Sequence, residues 1–443
     1  MLRQTTIRMG ENRGKPRVYM KGKWLGRAGF TPGRPIDVEF GAGSVTIRLT
    51  PTGHRRVCGR TGESVPVIDV ENAALATALA SAERLQVTCA EHTITITPAY
   101  AELLVRGRVD NDRAGSLFSG GGLLDEAARQ AGFAPTFGVE IDPDYAAIFE
   151  ANHPGAAVFN SCVSEVAFEQ LARFRPLGLL TGGICCEPFT GVRRLDRVTG
   201  AKRDKSLPAE AHELGDMTFW MLRAIEATNP HTVVCEEVPA YLDSASWWTF
   251  QHVARRLGYT VEGRVLDALD FGELTDRKRA VVVCTTGRPI AWPAPAAAIR
   301  LGRTLGEIFD PPPCVHDWFN AETKPWLFDH WAKQTAKGNG FASQVVTAES
   351  RSVGTIKKRY FAQQGDNPVV GHPTMPGVYR WLTLSEVRRL HGVPDHYDLG
   401  PAVTTAGEVV GQGVIVPLFR RVIESVTGRA VKATRDGEGV RVA

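Results

Sequence analysis

Strands and helices alternate along the chain from Gly115 to Cys284, and this alternation restricts the fold more than any other feature of the sequence. The apolar strands read SLFSG, TFGVEI, LGLLTGG, TVVCEEV and RAVVVC, with helical stretches such as LLDEAARQAGF and HELGDMTFWMLRAIEATNP between them. Strands that are joined by helices pair in parallel, because a crossover is needed to return the chain to the same edge of a sheet. The sequence therefore predicts a doubly wound, mostly parallel α/β sheet with its ligands at the carboxyl ends of the strands.

The N-terminal part of the chain has a different pattern, in which a strand, a short helix and a hairpin occur twice. The first copy covers residues 17–49 and the second covers residues 67–97, and IDVEF and VTIRL alternate apolar and polar residues across the turn GAGS. This order predicts an internal duplication in a mainly β module.

The same region is strongly basic. Residues 1–60 contain thirteen Lys and Arg against three acidic residues, whereas the whole chain of 443 residues has a net charge of only +4. Such a segment favours a polyanionic partner, above all nucleic acid. A solvated basic surface without a ligand is the alternative.

Composition excludes several other classes. No apolar run approaches the roughly 20 residues that a membrane span needs, and MLRQTTIRMGENRGK lacks the apolar core of a signal peptide. The eight cysteines form no CxxC pair, so we expect free thiols and no cysteine-based metal site. These features predict a cytoplasmic protein with no membrane partner and no metal.

A glycine turn, Phe118-Ser119-Gly120-Gly121-Gly122, separates the first strand from the first helix of the α/β region. Glycines at this place let backbone amides approach a ligand closely, although a purely structural turn has the same pattern. Glu140 ends the next strand about twenty residues later, where an acid commonly holds ribose hydroxyls. Together they favour an adenosine-containing cofactor, and the lack of a full GxGxxG disfavours NAD.

Three further segments place reactive side chains at strand ends. Cys186 lies in LLTGGICCEPFTG, Glu236 and Glu237 end TVVCEEV, and Arg277 and Arg279 lie in LTDRKR. A cysteine on a loop after a central strand is better placed to react than a packed one. Adjacent carboxylates on a strand point to opposite faces, so at most one faces the pocket. Each segment alone is also compatible with ordinary packing or a solvated surface.

The order of these segments resembles that of the cytosine-5 DNA methyltransferase family over residues 115–425. LFSGGGLLDEAARQAGF and GVEIDPDYAAIFEANHP resemble the first two motifs of the family, and TGGICCEPFTG resembles its GGPPCQPFS loop. CEEVP resembles the ENV motif, DRKR the end of QxRxR, RWLTLSEVRRLHGVPDHYDL the ninth motif and VVGQGVIVP the tenth. The stretch YMKGKWLGRAGFTPGRPIDV resembles SymE-like and AbrB-like swapped-hairpin modules, whose role could be DNA binding or purely structural.

The methyltransferase resemblance implies roles for individual residues. Cys186 is the expected nucleophile and Glu236 the acid, Arg277 is expected to hold Glu236 and the cytosine, and Arg279 shares its face. S-adenosylmethionine, or a modified derivative of it, is the expected cofactor. The expected cofactor contacts are Phe118, Ser119, Gly120, Gly122, Glu140, Ile141, Cys162, Gln412 and Val414. The expected contacts with double-stranded DNA are Arg193, Arg194, Lys202, Arg203, Lys357, Lys358 and Arg359.

These assignments predict three domains. Residues 1–98 form the basic tandem module, residues 115–289 with 379–430 form the catalytic domain, and residues 290–378 form the target-recognition region. We expect the protein to act as a monomer on DNA, with further contacts possible through the N-terminal module.

The sequence departs from the family around the pocket. Cys185 and Glu187 flank the nucleophile in place of proline and glutamine, Glu237 replaces the ENV asparagine, Thr275 replaces the glutamine of QxRxR, and Gln412 replaces an asparagine. NSCVSEV, at Cys162, lacks the usual acid. Three interpretations remain: ordinary methyl transfer, transfer of a related group from an altered donor such as a carboxylated S-adenosylmethionine, or a catalytically weak DNA-binding regulator.

Overall fold

A computed structural model describes residues 2–59, 65–189, 208–295, 302–311, 317–338 and 343–429. The chain divides into two compact units, Met1–Gly107 and Arg108–Ala443.

The N-terminal unit is built from short strands with three small helices. Its strands are β1 (Arg3–Arg8), β2 (Gly10–Asn12), β3 (Lys15–Lys21), β4 (Pro35–Gly41), β5 (Ser44–Leu49), β6 (Arg55–Arg56), β7 (Val67–Glu71), β8 (Arg84–Ala90) and β9 (Thr93–Pro98). Its helices are α1 (Lys23–Arg27), α2 (Ala74–Ala78) and α3 (Tyr100–Arg106). The sheets have the orders β1-β8-β9-β5-β4-β6 and β2-β3-β7.

The two predicted copies pair with each other inside this unit. β3 of the first copy pairs with β7 of the second, and β5 pairs with β9, both antiparallel. Neither copy could bury its apolar face alone, and together they enclose one core that includes Val18, Leu25 and Val45 from the first copy and Leu75 and Val87 from the second.

The C-terminal unit is centred on a seven-stranded sheet. Its strands are β10 (Arg113–Leu117), β11 (Ala134–Glu140), β12 (Ala157–Asn160), β13 (Leu179–Gly183), β14 (Thr232–Glu237), β15 (Thr260–Asp267) and β17 (Lys278–Thr285), and the short β16 (Thr275–Asp276) lies outside it. The order is β12-β11-β10-β13-β14-β17-β15. The first five strands pair in parallel, and β17 runs antiparallel between β14 and β15. The predicted doubly wound, mostly parallel sheet is confirmed.

Helices cover both faces of this sheet. The helices of this unit are α4 (Leu123–Gln130), α5 (Pro143–Asn152), α6 (Phe168–Leu171), α7 (Met217–Thr228), α8 (Ala245–Arg256), α9 (Pro325–Lys337), α10 (Leu384–Leu390), α11 (Val403–Gln412) and α12 (Val416–Thr427). Among them, α9 packs through Leu327 with Phe319 and Val369 in a separate small cluster. Val234, Val281 and Val283 pack on the side of α4 and α12, whereas Val233 and Cys235 pack on the side of α7 and α8. Because successive residues of a strand point to opposite faces, the two carboxylates at the end of β14 point to opposite sides of the sheet.

Residues 290–378 add short strands to the same unit. These are β18 (Val345–Val346), β19 (Val353–Gly354), β20 (Val369–Gly371) and, just beyond, β21 (Tyr379–Arg380). β19 pairs with β16, and Leu305, Val353, Ile356 and Tyr360 share a core with α10, α11 and α12. The predicted limits of the target-recognition region remain a prediction.

The strand order reverses direction at the centre of the sheet. β10 lies between β11 and β13, so the chain leaves β10 towards one edge and later returns to build the other. Ligands of open α/β sheets bind in the crevice at the carboxyl ends of strands at such a switch point. The glycine turn after β10 and the cysteine loop after β13 both begin there.

Candidate active site

The glycine turn after β10 has a conformation that exposes its backbone. Phe118, Gly120 and Gly122 all have positive φ, with values of 54°, 54° and 81°. The backbone N–H of Ser119 donates to the carbonyl of Val139 on β11 (3.0 Å). A Cβ built on Gly120 would meet no atom within 4 Å, so the space in front of this glycine is open. The turn therefore has room for a ligand against its backbone.

Glu140 closes the opposite side of this turn. Its Oε2 accepts a hydrogen bond from the backbone N–H of Gly120 (2.7 Å), and its Oε1 accepts from that of Asp142 (2.8 Å). Burial raises the pKa of the Glu140 carboxyl, although these hydrogen bonds oppose the rise. Both oxygens are oriented by the backbone and keep lone pairs that can accept from a ligand hydroxyl.

Other predicted cofactor residues gather around the same edge. Ile141 exposes 65% of its surface beside Glu140, which leaves an apolar face free to stack on a ligand. Cys162 follows β12, and its Sγ lies 3.0 Å from Ser164 Oγ. Gln412 is exposed and Val414 is buried. Their segment approaches the glycine turn closely, because a Cβ on Gly413 would come within 2.6 Å of Leu123 Cδ1.

Cys186 lies on the loop that leaves the carboxyl end of β13. The N–H of Phe189 donates to the carbonyl of Cys186 (3.0 Å), which closes a tight turn around the cysteine. Phe189 is buried and packs edge-on against Tyr241, with the ring centroids 5.0 Å apart. The residue at 186 is exposed. An apolar side chain thus anchors the loop and leaves the thiol accessible.

The resting site does not favour the thiolate. The pKa of the Cys186 thiol is raised to about 12, mainly because surrounding protein removes water from it and next because of repulsion from Glu237, Cys185 and Glu236. Arg279 opposes the rise.

Glu236 and Arg279 form an ion pair beside this loop. Arg279 Nε lies 2.5 Å from Glu236 Oε1, and the two side chains are 17% and 12% exposed. Glu236 pairs in register with Gly183 at the end of β13, three residues before the cysteine. The strand ends therefore bring a thiol, a carboxylate and a guanidinium to one place, and the carboxylate has its cation already in position.

Arg277, which the sequence predicted to hold Glu236, makes different contacts. Its guanidinium donates to the carbonyls of Ile356 (3.2 Å), Gly411 (3.2 Å), Gln412 (3.2 Å) and Gly413 (2.7 Å). Arg277 is only 2% exposed, and burial followed by repulsion from Arg279 lowers its pKa to about 9. The prediction is wrong on the partner of Glu236, because Arg277 precedes β17 and turns towards the segment after α11.

A family model described as C-5 cytosine-specific DNA methylase matches residues 113–428, which are most of the chain. The chain belongs to this family. It is a DNA cytosine-5 methyltransferase, and DNA is its substrate. A second model, described as the toxin SymE of a type I toxin-antitoxin system, matches residues 3–49. Both resemblances seen in the sequence are thereby confirmed.

Two type II methyltransferases each match about 70% of this chain. Type II methyltransferase M.NlaX of Neisseria lactamica is 26% identical over 305 residues, 68% of this chain and 90% of the relative. Type II methyltransferase M.NaeI of Lentzea aerocolonigenes is 26% identical over 335 residues, 70% of this chain and 72% of the relative. The solved structure of S. pombe Dnmt2 methyltransferase matches with a TM-score of 0.54 and 16% identity over 72% of this chain and 98% of that one. This last likeness shows the fold.

Glu237, which departs from the motif of the methylase family, is almost fully buried. Only 1% of the residue is exposed, and burial raises the pKa of its carboxyl to about 9. Its Oε2 accepts from the backbone N–H of Val238. Its Oε1 has no hydrogen-bond partner among the residues that the structure describes.

Sequence reasoning missed the side chains that hold the glycine turn from behind. Tyr397 donates its hydroxyl to the carbonyl of Gly121 (2.6 Å), and Val409 Cγ1 would lie 2.5 Å from a Cβ at that glycine. Asp125, in the first turn of α4, is 1% exposed, and burial raises its pKa to about 7. Tyr397 and Val409 come from segments some 280 residues away, so no local pattern could reveal them.

The predicted DNA contacts fall into two groups. Arg193, Arg194, Lys202 and Arg203 lie outside the described residues. Lys357, Lys358 and Arg359 are exposed. Lys357 pairs with Asp366, and Lys358 Nζ lies 3.9 Å from Glu408 Oε2 and 5.1 Å from the ring centroid of Tyr145.

Metal-binding clusters and membrane-spanning helices are both absent from the described residues. They contain no group of three or more His, Cys, Asp or Glu side chains that could hold a metal ion. No helix among them has the length and apolarity to cross a membrane.

Proposed function

We propose that this methylase transfers a methyl group from S-adenosylmethionine to carbon 5 of a flipped cytosine in double-stranded DNA, through a covalent adduct with Cys186. The observation that carries the proposal is the meeting of Cys186 with the Glu236–Arg279 ion pair at neighbouring strand ends, on the edge of the sheet that also bears the glycine turn. The proposed nucleophile, the proposed acid and the glycine turn proposed to bind the cofactor thus lie at the same end of the sheet.

The residues around the glycine turn fit S-adenosylmethionine. Glu140 offers oriented carboxylate oxygens to ribose hydroxyls, Ile141 offers an exposed apolar face to adenine, and the space before Gly120 is open. Gln412 ends α11 and Val414 lies two residues beyond it, and Cys162 follows β12. When bound there, this donor supplies an electrophilic methyl group.

Cytosine needs covalent activation, because its carbon 5 is a poor nucleophile. The Cys186 thiolate attacks carbon 6, and the electron pair of the C5–C6 bond then becomes available at carbon 5. Glu236 takes up the proton that Cys186 releases and donates it to ring nitrogen 3, and Arg279 holds the Glu236 carboxyl group in position. After carbon 5 has gained its substituent, a base removes the proton from carbon 5. The electron pair of that C–H bond re-forms the C5–C6 double bond, and the bond between carbon 6 and Cys186 breaks to release the thiolate.

DNA binding has to expose the base before this chemistry can begin. A stacked cytosine cannot reach Cys186, so the base is flipped out of the duplex. We propose that Arg193, Arg194, Lys202, Arg203, Lys357, Lys358 and Arg359 contact DNA, chiefly its phosphates. Since Lys357 and Lys358 are already in ion pairs with Asp366 and Glu408, DNA has to compete with those carboxylates.

The N-terminal unit is proposed to add contacts with the polyanion. Its exposed basic side chains include Arg8, Arg13, Lys15, Lys21, Lys23, Arg27 and Arg34. Such contacts are independent of base sequence and weaken as salt is added.

The test is a transfer assay with purified full-length protein, duplex DNA and S-adenosylmethionine labelled in its methyl group. We expect label in the DNA and 5-methylcytosine in its enzymatic digest, identified by mass spectrometry. A heavier adduct at carbon 5, found in DNA from the expressing host, would instead support an altered donor. DNA binding without any transfer would overturn the proposal and favour a regulator.

Glu140→Gln should weaken binding of S-adenosylhomocysteine by roughly tenfold to a hundredfold, because hydrogen bonds to a charged group contribute about 1.5–3 kcal/mol. Isothermal titration calorimetry on the full-length protein measures this. Glu169→Gln, at an exposed position on α6, is the matched control and should bind normally. Equal affinity for all three proteins would contradict the placement of the donor at Glu140.

A further inference from the structure

Glu237 lies on the opposite face of the sheet from Glu236. Val233 and Cys235 precede it at alternate positions of β14 and pack on the side of α7 and α8, together with Phe189 and Tyr241. Successive residues of a strand point to opposite faces, so the Glu237 carboxyl enters this apolar side. It therefore lies beneath the loop of Cys186, whose Phe189 belongs to the same cluster.

Among the described residues, no cation forms an ion pair with the carboxyl of Glu237. Oε2 accepts from the next backbone N–H, and Oε1 is buried with no partner among the described residues. The charged or titratable groups that face it are Cys186 from the loop after β13, Glu236 on its own strand, Arg279 from β17 and Tyr241 from the turn after β14. Arg279 is already engaged by Glu236, and the Tyr241 hydroxyl lies 3.1 Å from Thr218 Oγ1.

We propose that Glu237 is a positioning residue that acts as a neutral carboxylic acid. Cys186 then faces a single ionised carboxylate, that of Glu236, whose charge Arg279 balances. A charge at this position would be buried, unpaired and beside a thiol that has to ionise. The motif that CEEVP resembles has an uncharged asparagine here, and a protonated glutamate keeps that neutrality. The raised pKa of the Glu237 carboxyl, about 9, agrees with this state at neutral pH.

Ionisation of Glu237 at alkaline pH should disfavour the thiolate form of Cys186. Among the charges acting on Cys186, Glu237 has the largest effect, ahead of Glu236. When Glu237 ionises, its negative charge raises the pKa of the thiol further, and the fraction of thiolate at a given pH falls. Because the two groups titrate as a pair, their apparent pKa values belong to the pair. A neutral residue at 237 removes this interaction at high pH and changes nothing at low pH.

The experiment measures alkylation of Cys186 by iodoacetamide in the full-length protein at pH 7 and at pH 9.5, quantified by mass spectrometry of the peptide that contains Cys186. Glu237→Gln should react within twofold of the unaltered protein at pH 7 and about fourfold faster at pH 9.5. With a pKa of about 9, about three-quarters of Glu237 is ionised at pH 9.5, and a charge a few ångströms away suppresses the Cys186 thiolate in that fraction, so the remaining neutral fraction sets the rate of the unaltered protein. Glu273→Gln, at another buried glutamate with a raised pKa, should match the unaltered protein at both pH values.

Three outcomes would overturn the proposal. Faster alkylation of Glu237→Gln at both pH values would mean that Glu237 is already ionised at pH 7. Identical rates at both would mean that it does not act on Cys186, and slower alkylation would make it a base for the thiol. Glu237→Met, uncharged and of similar size, serves if the glutamine variant does not fold. The inference rests on the proposed role of Cys186, but the assay contains neither DNA nor donor, so failed methyl transfer and a failed pH effect remain distinguishable.

Discussion

Cys186→Ser should reduce methyl transfer by roughly a thousandfold or more, because a serine hydroxyl does not ionise near neutral pH and attacks carbon 6 far more slowly than a thiolate. The fold should be unaffected. Residue 186 is exposed, and the oxygen of serine fits the same turn closed by Phe189, so the free energy of unfolding should change by less than about 0.5 kcal/mol. Binding of S-adenosylhomocysteine should be retained, since Glu140 and the glycine turn are unchanged.

Cys185→Ser is the matched control for this substitution. It removes the adjacent thiol with the same change of atom, and it should keep transfer within several-fold of the unaltered protein. Duplex DNA with 5-fluorocytosine at the target gives a second measurement, because fluorine cannot leave carbon 5 as a proton does and the adduct is trapped. Two results would show that Cys186 is not the nucleophile. One is trapping of the DNA adduct by Cys186→Ser. The other is loss of trapping in Cys185→Ser while Cys186→Ser still transfers methyl groups.

Much of the fold follows from local sequence patterns. β10 to β14 are short, apolar and separated by helices, so their parallel pairing could be predicted from hydrophobic periodicity. The position of β17 in the sheet could not be predicted in this way. It inserts antiparallel between β14 and β15, and nothing in the letters RAVVVC distinguishes a parallel neighbour from an antiparallel one.

For the candidate site, local sequence patterns identified several residues but not the residues that they contact. Cys186, Glu236 and Glu140 were identified because each directly follows or ends an apolar strand. The roles of Arg277 and Arg279 could not be separated, since they lie two residues apart, Arg277 just before β17 and Arg279 within it, and share the same parity. The hydrogen-bond partners of the two arginines separate their roles, and the carbonyls that accept from Arg277 lie 79 and 134–136 residues further along the chain. The neutral state of Glu237 likewise depends on burial beneath a loop that the sequence does not place there.

Arg277→Met and Arg279→Met should separate stability from catalysis. Arg277 is fully buried, and its removal leaves four carbonyls without their donor, so we expect the free energy of unfolding to fall by about 3–5 kcal/mol. Arg279 is part of a partly hydrated ion pair, and its loss should cost no more than about 1–2 kcal/mol. Transfer by Arg279→Met should nevertheless fall by roughly a hundredfold, since Glu236 loses the cation that orients it.

Urea unfolding followed by circular dichroism gives the stability of both variants, and single-turnover transfer with saturating donor and DNA gives the catalytic rate. Below its unfolding transition, Arg277→Met should keep a substantial transfer rate but bind donor more weakly, because the carbonyls of Gln412 and Gly413 that Arg277 fixes belong to the segment beside the glycine turn. Arg277→Lys, which keeps the charge but cannot reach four carbonyls at once, should be intermediate in stability. If Arg277→Met lost transfer while its stability and donor affinity stayed normal, Arg277 and not Arg279 would act on the base. The ion pair between Arg279 and Glu236 would then not be the catalytic arrangement.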